Sequence, residues 1–312
     1  MNTEVKILLK KGFVFLIPIF VWMLIVIIVD PFNYFNKFNV ISENSKEKSS
    51  QKLNSLLYNT IKYKNKPTSN IIIGDSRVRI LPVDRIKEIT GDDYFILYSN
   101  AAKLNEMIDL FWFAEDTTCI DKRLQNVIIA LHFNLYNTYA YADRIQDVQK
   151  IISNPLIYIF NRNIVQTTYL SIKHELNMVA EKTKRNKTLF WKKSLDEKAF
   201  NQYAKYIYPV GVLKQLQEIK YYCDDNNINL TFVIMPTHLD YQKRVKDFNL
   251  TEEEVTFKND IASLGKVIDF EFENVITENR NSFKDPTHTT DSVSSIIVDE
   301  IFSDSLVIGR KL

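Results

Sequence analysis

A parallel α/β sheet layered between helices, held to a membrane by one N-terminal helix, is the architecture this chain predicts. Three observations point to it. Five short apolar runs alternate with helical patterns between residues 70 and 302. Alternation of that kind argues for crossover connections and a parallel three-layer sheet. The first run, Asn70–Ile73, is apolar from Ile71 onward and closed by Gly74, as a strand buried on both faces should be. Finally, Phe13 to Val29 carries no charge and ends at Asp30-Pro31.

Taken in order, residues 1–33 read as a membrane anchor. With Gly12 and part of Ile7-Leu8-Leu9, the apolar stretch approaches the ~20 residues that a bilayer span needs. No small-x-small cleavage site follows it, so an uncleaved anchor is expected rather than a removed signal peptide. Pro18 is tolerated inside such a helix. Lys6, Lys10 and Lys11 place the amino end in the cytoplasm and the remainder outside the cell membrane. Phe32, Tyr34 and Phe35 are expected at the outer interface. Residues 34–66 form a polar stalk or lead-in helix with apolar positions at Leu53, Leu56, Leu57 and Ile61.

The α/β domain is expected over 67–308. Strands are predicted at 70–73, 94–98, 127–133, 230–235 and 267–270. Helices are predicted at 103–117, 203–226 and 251–263, with a last one marked by Val293, Ile296, Ile297 and Ile301. Thr251 and Glu254 have capping-box spacing. Residues of about 141–200 read as an inserted helical region, whose Lys182–Lys187 charge run is expected to be a solvated loop.

Bulk properties narrow the function. A net charge of +2 with no sustained basic stripe argues against nucleic acid as a partner. Neither GxGxxG nor GxxxxGK[ST] occurs, so no phosphate loop and no cofactor are expected. The four His, at 132, 174, 238 and 288, include no i, i+4 pair, so no metal site is expected. Cys119 and Cys223 lie in or beside apolar-periodic stretches and read as two buried thiols rather than a bridge.

Chemistry enters with Gly74-Asp75-Ser76-Arg77. Ser76 stands where the first strand gives way to a new pattern at Val78, Ile80 and Leu81. That is the carboxyl edge of the sheet, where open α/β folds place ligands. A serine hydroxyl there becomes a nucleophile only if a base takes its proton. Asp285-Pro286-Thr287-His288, just before the last helix, supplies one: a carboxylate three residues from a histidine can hold Nδ1 and leave Nε2 outward. Asn134 ends the third strand on the same edge, and its amide can donate to a developing oxyanion. After the second strand, the backbone N–H of Ala101 is a second donor, with Asn100 alternatively an N-cap. Arg77 and Arg79 flank the site and read as a solvated helix face, with holding an anionic substrate group as the alternative; His132 and Asn137 read as less well placed, and His238 as a pocket-lining residue.

These blocks resemble the SGNH/GDSL hydrolase superfamily, whose fold is flavodoxin-like. The anchor and the segment His132-Phe133-Asn134-Leu135-Tyr136-Asn137 are similar to its membrane-anchored branch, which includes alginate O-acetylation proteins and the teichoic-acid D-alanyl transfer protein. The resemblance covers roughly 70–302. It implies Ser76 as nucleophile, His288 as base and Asp285 as its orienter, with the Ser76 N–H and Asn134 in the oxyanion hole. It also implies an esterase or O-acyltransferase acting on an acyl ester or envelope polysaccharide, beside a membrane-bound O-acyltransferase. Two blocks depart from the family. Its second block offers a glycine N–H where this chain has Ser99-Asn100-Ala101-Ala102, and its Gly-x-Asn-Asp is here Leu131-His132-Phe133-Asn134-Leu135. Those departures motivate the alternative of a non-catalytic accessory partner. The pattern is not the nucleophile elbow Gly-x-Ser-x-Gly, since Val78 replaces its second glycine.

Overall fold

The structure is a computed structural model describing residues 3–118, 123–179, 187–303 and 305–312. Cys119 and Lys182–Asn186 of the charge run lie outside the described residues. The chain forms two compact units, one within 1–62 and 146–182, the other within 63–145 and 183–312.

The first unit is helical. It opens with α1 (Thr3–Val29), followed by α2 (Glu43–Asn65), whose helix is interrupted at Asn54. Lys11–Val29 is long and apolar enough to cross a membrane or to be a signal. The fold then moves to the second unit through β1 (Asn70–Gly74), α3 (Val83–Thr90), β2 (Tyr94–Tyr98), α4 (Leu104–Thr117) and β3 (Asn126–Leu131). Next come α5 (Arg144–Ser153), α6 (Pro155–Phe160) and α7 (Arg162–Glu175). Within the first unit, Asp30 closes the turn after α1. Its carboxylate accepts the backbone N–H groups of Tyr34, Phe35 and Asn36 and the Tyr158 hydroxyl. Phe32 is buried edge-on to Tyr158, and Tyr34 stacks on that ring at 4.3 Å. Phe32 and Tyr34 therefore pack within the first unit.

The second unit continues with α8 (Lys187–Tyr203), α9 (Val212–Asp225), β4 (Asn229–Ile234), α10 (Leu239–Asp247), α11 (Thr251–Ala262) and β5 (Val267–Asp269). A hairpin of β6 (Phe283–Asp285) and β7 (His288–Thr289), then α12 (Asp291–Ile301) and β8 (Arg310–Lys311), complete it. The sheet order is β2-β1-β3-β4-β5-β8, parallel except for β8. Its first five strands follow one of the common doubly wound orders.

Continuous apolar strands are explained by burial on both sides. Ile72, Ile128, Val233 and Ile268 share a core with Ile86 of α3 and Ile297 of α12. Helices α4 and α9 lie against β1 and β4, so the intervening residues Ile71, Ile73 and Ile129 are covered as well. Gly74 is required by this packing, because a Cβ there would lie 2.7 Å from Val78 Cγ1.

Three sequence expectations are corrected. The helix predicted at 203–226 begins only at Val212, because Pro209 and Gly211, the latter at φ 109°, interrupt the pattern. Thr251 lies inside α11 rather than capping it; Leu250 is the N-cap and makes no side-chain cap. The short antiparallel strand β8 was not foreseen, being only two residues long.

Candidate active site

Strand order explains the site. β1 lies between β2 and β3, so the loops leaving their carboxyl ends are neighbours. They carry Ser76 from β1, Ala101 from β2 and Asn134 from β3. Ser76 follows β1 in a turn, and the next element is only a three-residue 3-10 turn, Val78–Ile80. Among the described residues, no α-helix N-terminus therefore stands directly beside Ser76.

Ser76 Oγ lies 2.8 Å from His288 Nε2. On the other side of the ring, His288 Nδ1 lies 2.9 and 3.0 Å from the two oxygens of Asp285. The β6–β7 hairpin bends Asp285 back onto the ring, with the Thr287 N–H also donating to Asp285. Pro286 O accepts the backbone N–H of His238 at 2.9 Å, tying this hairpin to the loop after β4. Two sequence-distant ends of the chain thus meet over the tips of the parallel strands.

The surroundings tune these groups. Burial pushes the Asp285 carboxyl upward, but hydrogen bonding and charge from His288, with the Lys198 ammonium, hold it well below the usual carboxylate range. Lys198, from α8, donates to Asp285 Oδ1 at 2.8 Å and to Thr287 Oγ1 at 2.6 Å. Burial lowers its own pKa, opposed by Asp285. An ionised Asp285 retains the Nδ1–H tautomer of His288 and leaves Nε2 as an acceptor for the serine proton.

Arg77 is not on a solvated face. It is 5% exposed, and its guanidinium donates to Asn134 Oδ1 at 2.9 Å. With the oxygen so occupied, the Asn134 Nδ2–H₂ group is turned away from Arg77 and remains the amide's donor. Arg79, by contrast, is exposed as expected. His132 Nε2 lies 3.0 Å from Asp75 Oδ2. Burial, reinforced by Arg77 and His288, holds the His132 pKa well below its usual value. The neutral ring then carries its proton on Nε2 and donates to Asp75, so His132 supports the loop that carries Ser76.

Ala101 has φ 53°, the left-handed conformation that glycine adopts without cost. This residue thus takes a glycine-like backbone, at a cost of about 1–3 kcal/mol. Arg144 holds this loop: it forks onto the two oxygens of the fully buried Glu106 at 2.7 and 2.6 Å, and reaches Asn100 O and Ala101 O at 3.3 Å. Glu106 also accepts the N–H of Lys103, the N-cap of α4. Asn100 is therefore not the cap.

His238 is engaged structurally. Its Nδ1 caps α10 at the Asp240 N–H, and its ring meets Trp191 and Phe283 edge-on. Asn137 orders the backbone at Tyr139 and Ile207. Cys223 is a buried free thiol. Among the described residues, no three His, Cys, Asp or Glu side chains converge as a metal site.

Sequence reasoning missed Lys198, Arg144 and Glu106, and misread Arg77 and His132. Only Arg77 left a signal, its position one residue after Ser76.

No family model and no curated protein matches this chain. Among solved structures, one from Streptococcus pneumonia, provisionally described as a platelet activating factor, aligns with a TM-score of 0.41 and 9% identity. The alignment covers 82% of this chain and 94% of that one.

Proposed function

We propose that this protein is a membrane-anchored serine esterase or O-acyltransferase of the SGNH type, with a flavodoxin-like three-layer domain outside the cell. It acts on an acyl ester or polysaccharide of the cell envelope. The observation that carries this reading is the continuous hydrogen-bonded line from Ser76 Oγ through His288 to Asp285.

In this reading, His288 Nε2 takes the proton of Ser76 as Oγ attacks the acyl carbonyl carbon. The resulting oxyanion is held by the Ala101 and Ser76 backbone N–H groups and the Asn134 amide. Collapse of the tetrahedral intermediate breaks the bond to the leaving alcohol, which receives the proton from His288. Ser76 then bears the acyl group. Water or a sugar hydroxyl, deprotonated by the same imidazole, attacks the acyl-enzyme and restores Ser76. Asp285 remains ionised throughout and stabilises the imidazolium.

The anchor reading places Lys6, Lys10 and Lys11 in the cytoplasm and the active site beyond the membrane. A membrane-bound O-acyltransferase is the partner this arrangement suits, as a source of acyl groups.

The test is covalent labelling of the full-length protein by a serine-directed phosphonate, in parallel with turnover of an acetyl ester. Wild type is labelled and turns over; Ser76→Ala and His288→Ala do neither, while their circular dichroism is unchanged. Full activity in both variants would refute the assignment.

A further inference from the structure

The first unit carries an apolar surface that the proposed chemistry does not use. In α6, Leu156, Ile157 and Phe160 are 57%, 43% and 51% exposed, while Tyr158 and Ile159 face inward. Helix α6 is only six residues long, and its exposed side is almost entirely hydrocarbon.

Its position relative to α1 says what covers that side. Tyr34, just past the turn after α1, donates its hydroxyl to Ile152 O, and Asp30 accepts from Tyr158. Further along, Trp22 Nε1 donates to Ile159 O at 3.2 Å. Trp22 lies seven residues before Val29, the end of α1, which is about 10 Å back along a helix. The chain from Ile152 to Ile159 therefore runs down beside α1, from the level of its outer end into the length of the candidate span. Consistent with this, α1 is exposed from Lys11 to Val21 but packs on α6 and α7 through its last two turns, where Val26 is fully buried.

A group at that depth, if α1 spans, lies in the outer leaflet. There, exposed leucine, isoleucine and phenylalanine are covered by acyl chains, and an arginine beside them reaches back to the phosphates. Arg162, which opens α7 two residues after Phe160, is such an arginine and is exposed. The buried face of α7 also suits close helix packing beside a span. It presents Thr167, Thr168 and Ser171, and both threonine hydroxyls are satisfied within the helix at Asn163 O and Ile164 O.

We propose that α6 and the start of α7 enter the outer leaflet beside α1, so that lipid acyl chains cover Leu156, Ile157 and Phe160. The protein then meets the bilayer at two points, a span and a short monotopic wedge. The wedge fixes the rotation of the first unit about the anchor. This inference rests on α1 being a span and is independent of the enzymatic reading.

The test uses the full-length chain in phospholipid vesicles. Single-cysteine variants Leu156→Cys and Phe160→Cys, in a Cys119→Ala, Cys223→Ala background, carry an environment-sensitive fluorophore. Phe15→Cys on α1 and Val275→Cys in the second unit, 81% and 73% exposed in the wild type, are the controls. Expected is quenching of positions 156 and 160 by spin-labelled acyl chains, to the degree seen at position 15, with shielding from aqueous iodide. Position 275 should show the reverse. Iodide quenching at 156 and 160 equal to that at 275, with position 15 still lipid-quenched, would overturn the wedge while leaving the anchor. Shielding from both quenchers would mean a protein contact and would overturn it too. Loss of lipid quenching at position 15 itself would remove the span on which the proposal depends.

Discussion

The two ends of the parallel sheet are both polar, yet they are built for different ends. At the amino ends, Asn70, Asn126 and Asn229 sit in register on neighbouring strands. Asn229 donates to Asn126, Asn126 to Asn70, and Asn70 to the Asp93 carbonyl, at 2.9, 2.7 and 3.3 Å. At the carboxyl ends, Lys198, Asp285, His288 and Ser76 form another line of similar distances. The amide ladder is neutral, and each of its donors is spent on the next acceptor. The second line contains a cation, an anion and an imidazole, and it terminates on a hydroxyl. Hydrogen bonding is common to both; only the end with a titratable base behind an oxygen can move a proton. Cavity size does not distinguish them in favour of chemistry. A cleft of about 650 Å³ adjoins the amino ends, lined by Asn126, Asn229, Lys220 and Asp224, and among the described residues it offers no nucleophile with a base behind it.

The comparison can be broken most severely at the carboxyl end. Ser76→Ala or His288→Ala should lower ester turnover by about 10⁶-fold, measured as kcat, with the melting temperature little changed. Asn134→Ala comes next: loss of one oxyanion donor should reduce kcat by about 10²–10³-fold, with KM nearly constant. Equal losses in KM alone would show that Asn134 binds substrate rather than the transition state.

Arg144→Met probes the loop of Ala101. It leaves Glu106 buried without its cation and should cost about 3 kcal/mol of stability, read by urea denaturation. kcat should also fall by about tenfold as the strained Ala101 backbone relaxes. Lys198→Met sharpens the role of the cation behind Asp285. Without it, Asp285 loses one of the charges that hold its carboxyl below the usual carboxylate range, so the stability lost in acid below about pH 4 should be smaller.

The depressed Asp285 and His132 predict the pH dependence of stability. Each folded-state pKa lies below its unfolded value, so the folded state binds fewer protons. The His132 contribution is fully present above about pH 6.5 and is lost as pH falls below it; that of Asp285 follows below about pH 4. Acid titration of wild type should show stability declining across both windows, and His132→Gln should remove the first. The smallest effect belongs to the other end of the sheet. Asn126→Ala should cost about 1 kcal/mol and leave turnover unchanged, since the ladder is remote from Ser76.

Much of this was legible before coordinates. The run Asn70–Gly74 named the first strand, because a strand buried on both faces has no polar face to show. Tyr94–Tyr98 matched its strand at both ends. Ser76 and the Asp285–His288 pair could each be singled out from local motifs, because a turn after a strand and a three-residue carboxylate–imidazole spacing are short-range features; their meeting across 212 residues is a tertiary fact. The partners that support them were not readable. Lys198 lies 87 residues from Asp285, and Arg144 lies 38 from Glu106. Nothing in their own neighbourhoods separates them from the other basic residues on solvated helices.

What the sequence by itself determined is the order of strands and helices, the apolar N-terminal helix, and which side chains stand at strand ends. These follow from periodicity and turn chemistry, which act over a few residues. What only the tertiary structure decided is which of those groups are charged, which are buried and which way they face. Arg77 orients the Asn134 amide instead of facing water, and Ala101 adopts a glycine-like backbone because Arg144 and Glu106 hold its loop. Such outcomes depend on desolvation and on partners brought in by the sheet's crossovers, and those contacts exist only once the chain has closed on itself.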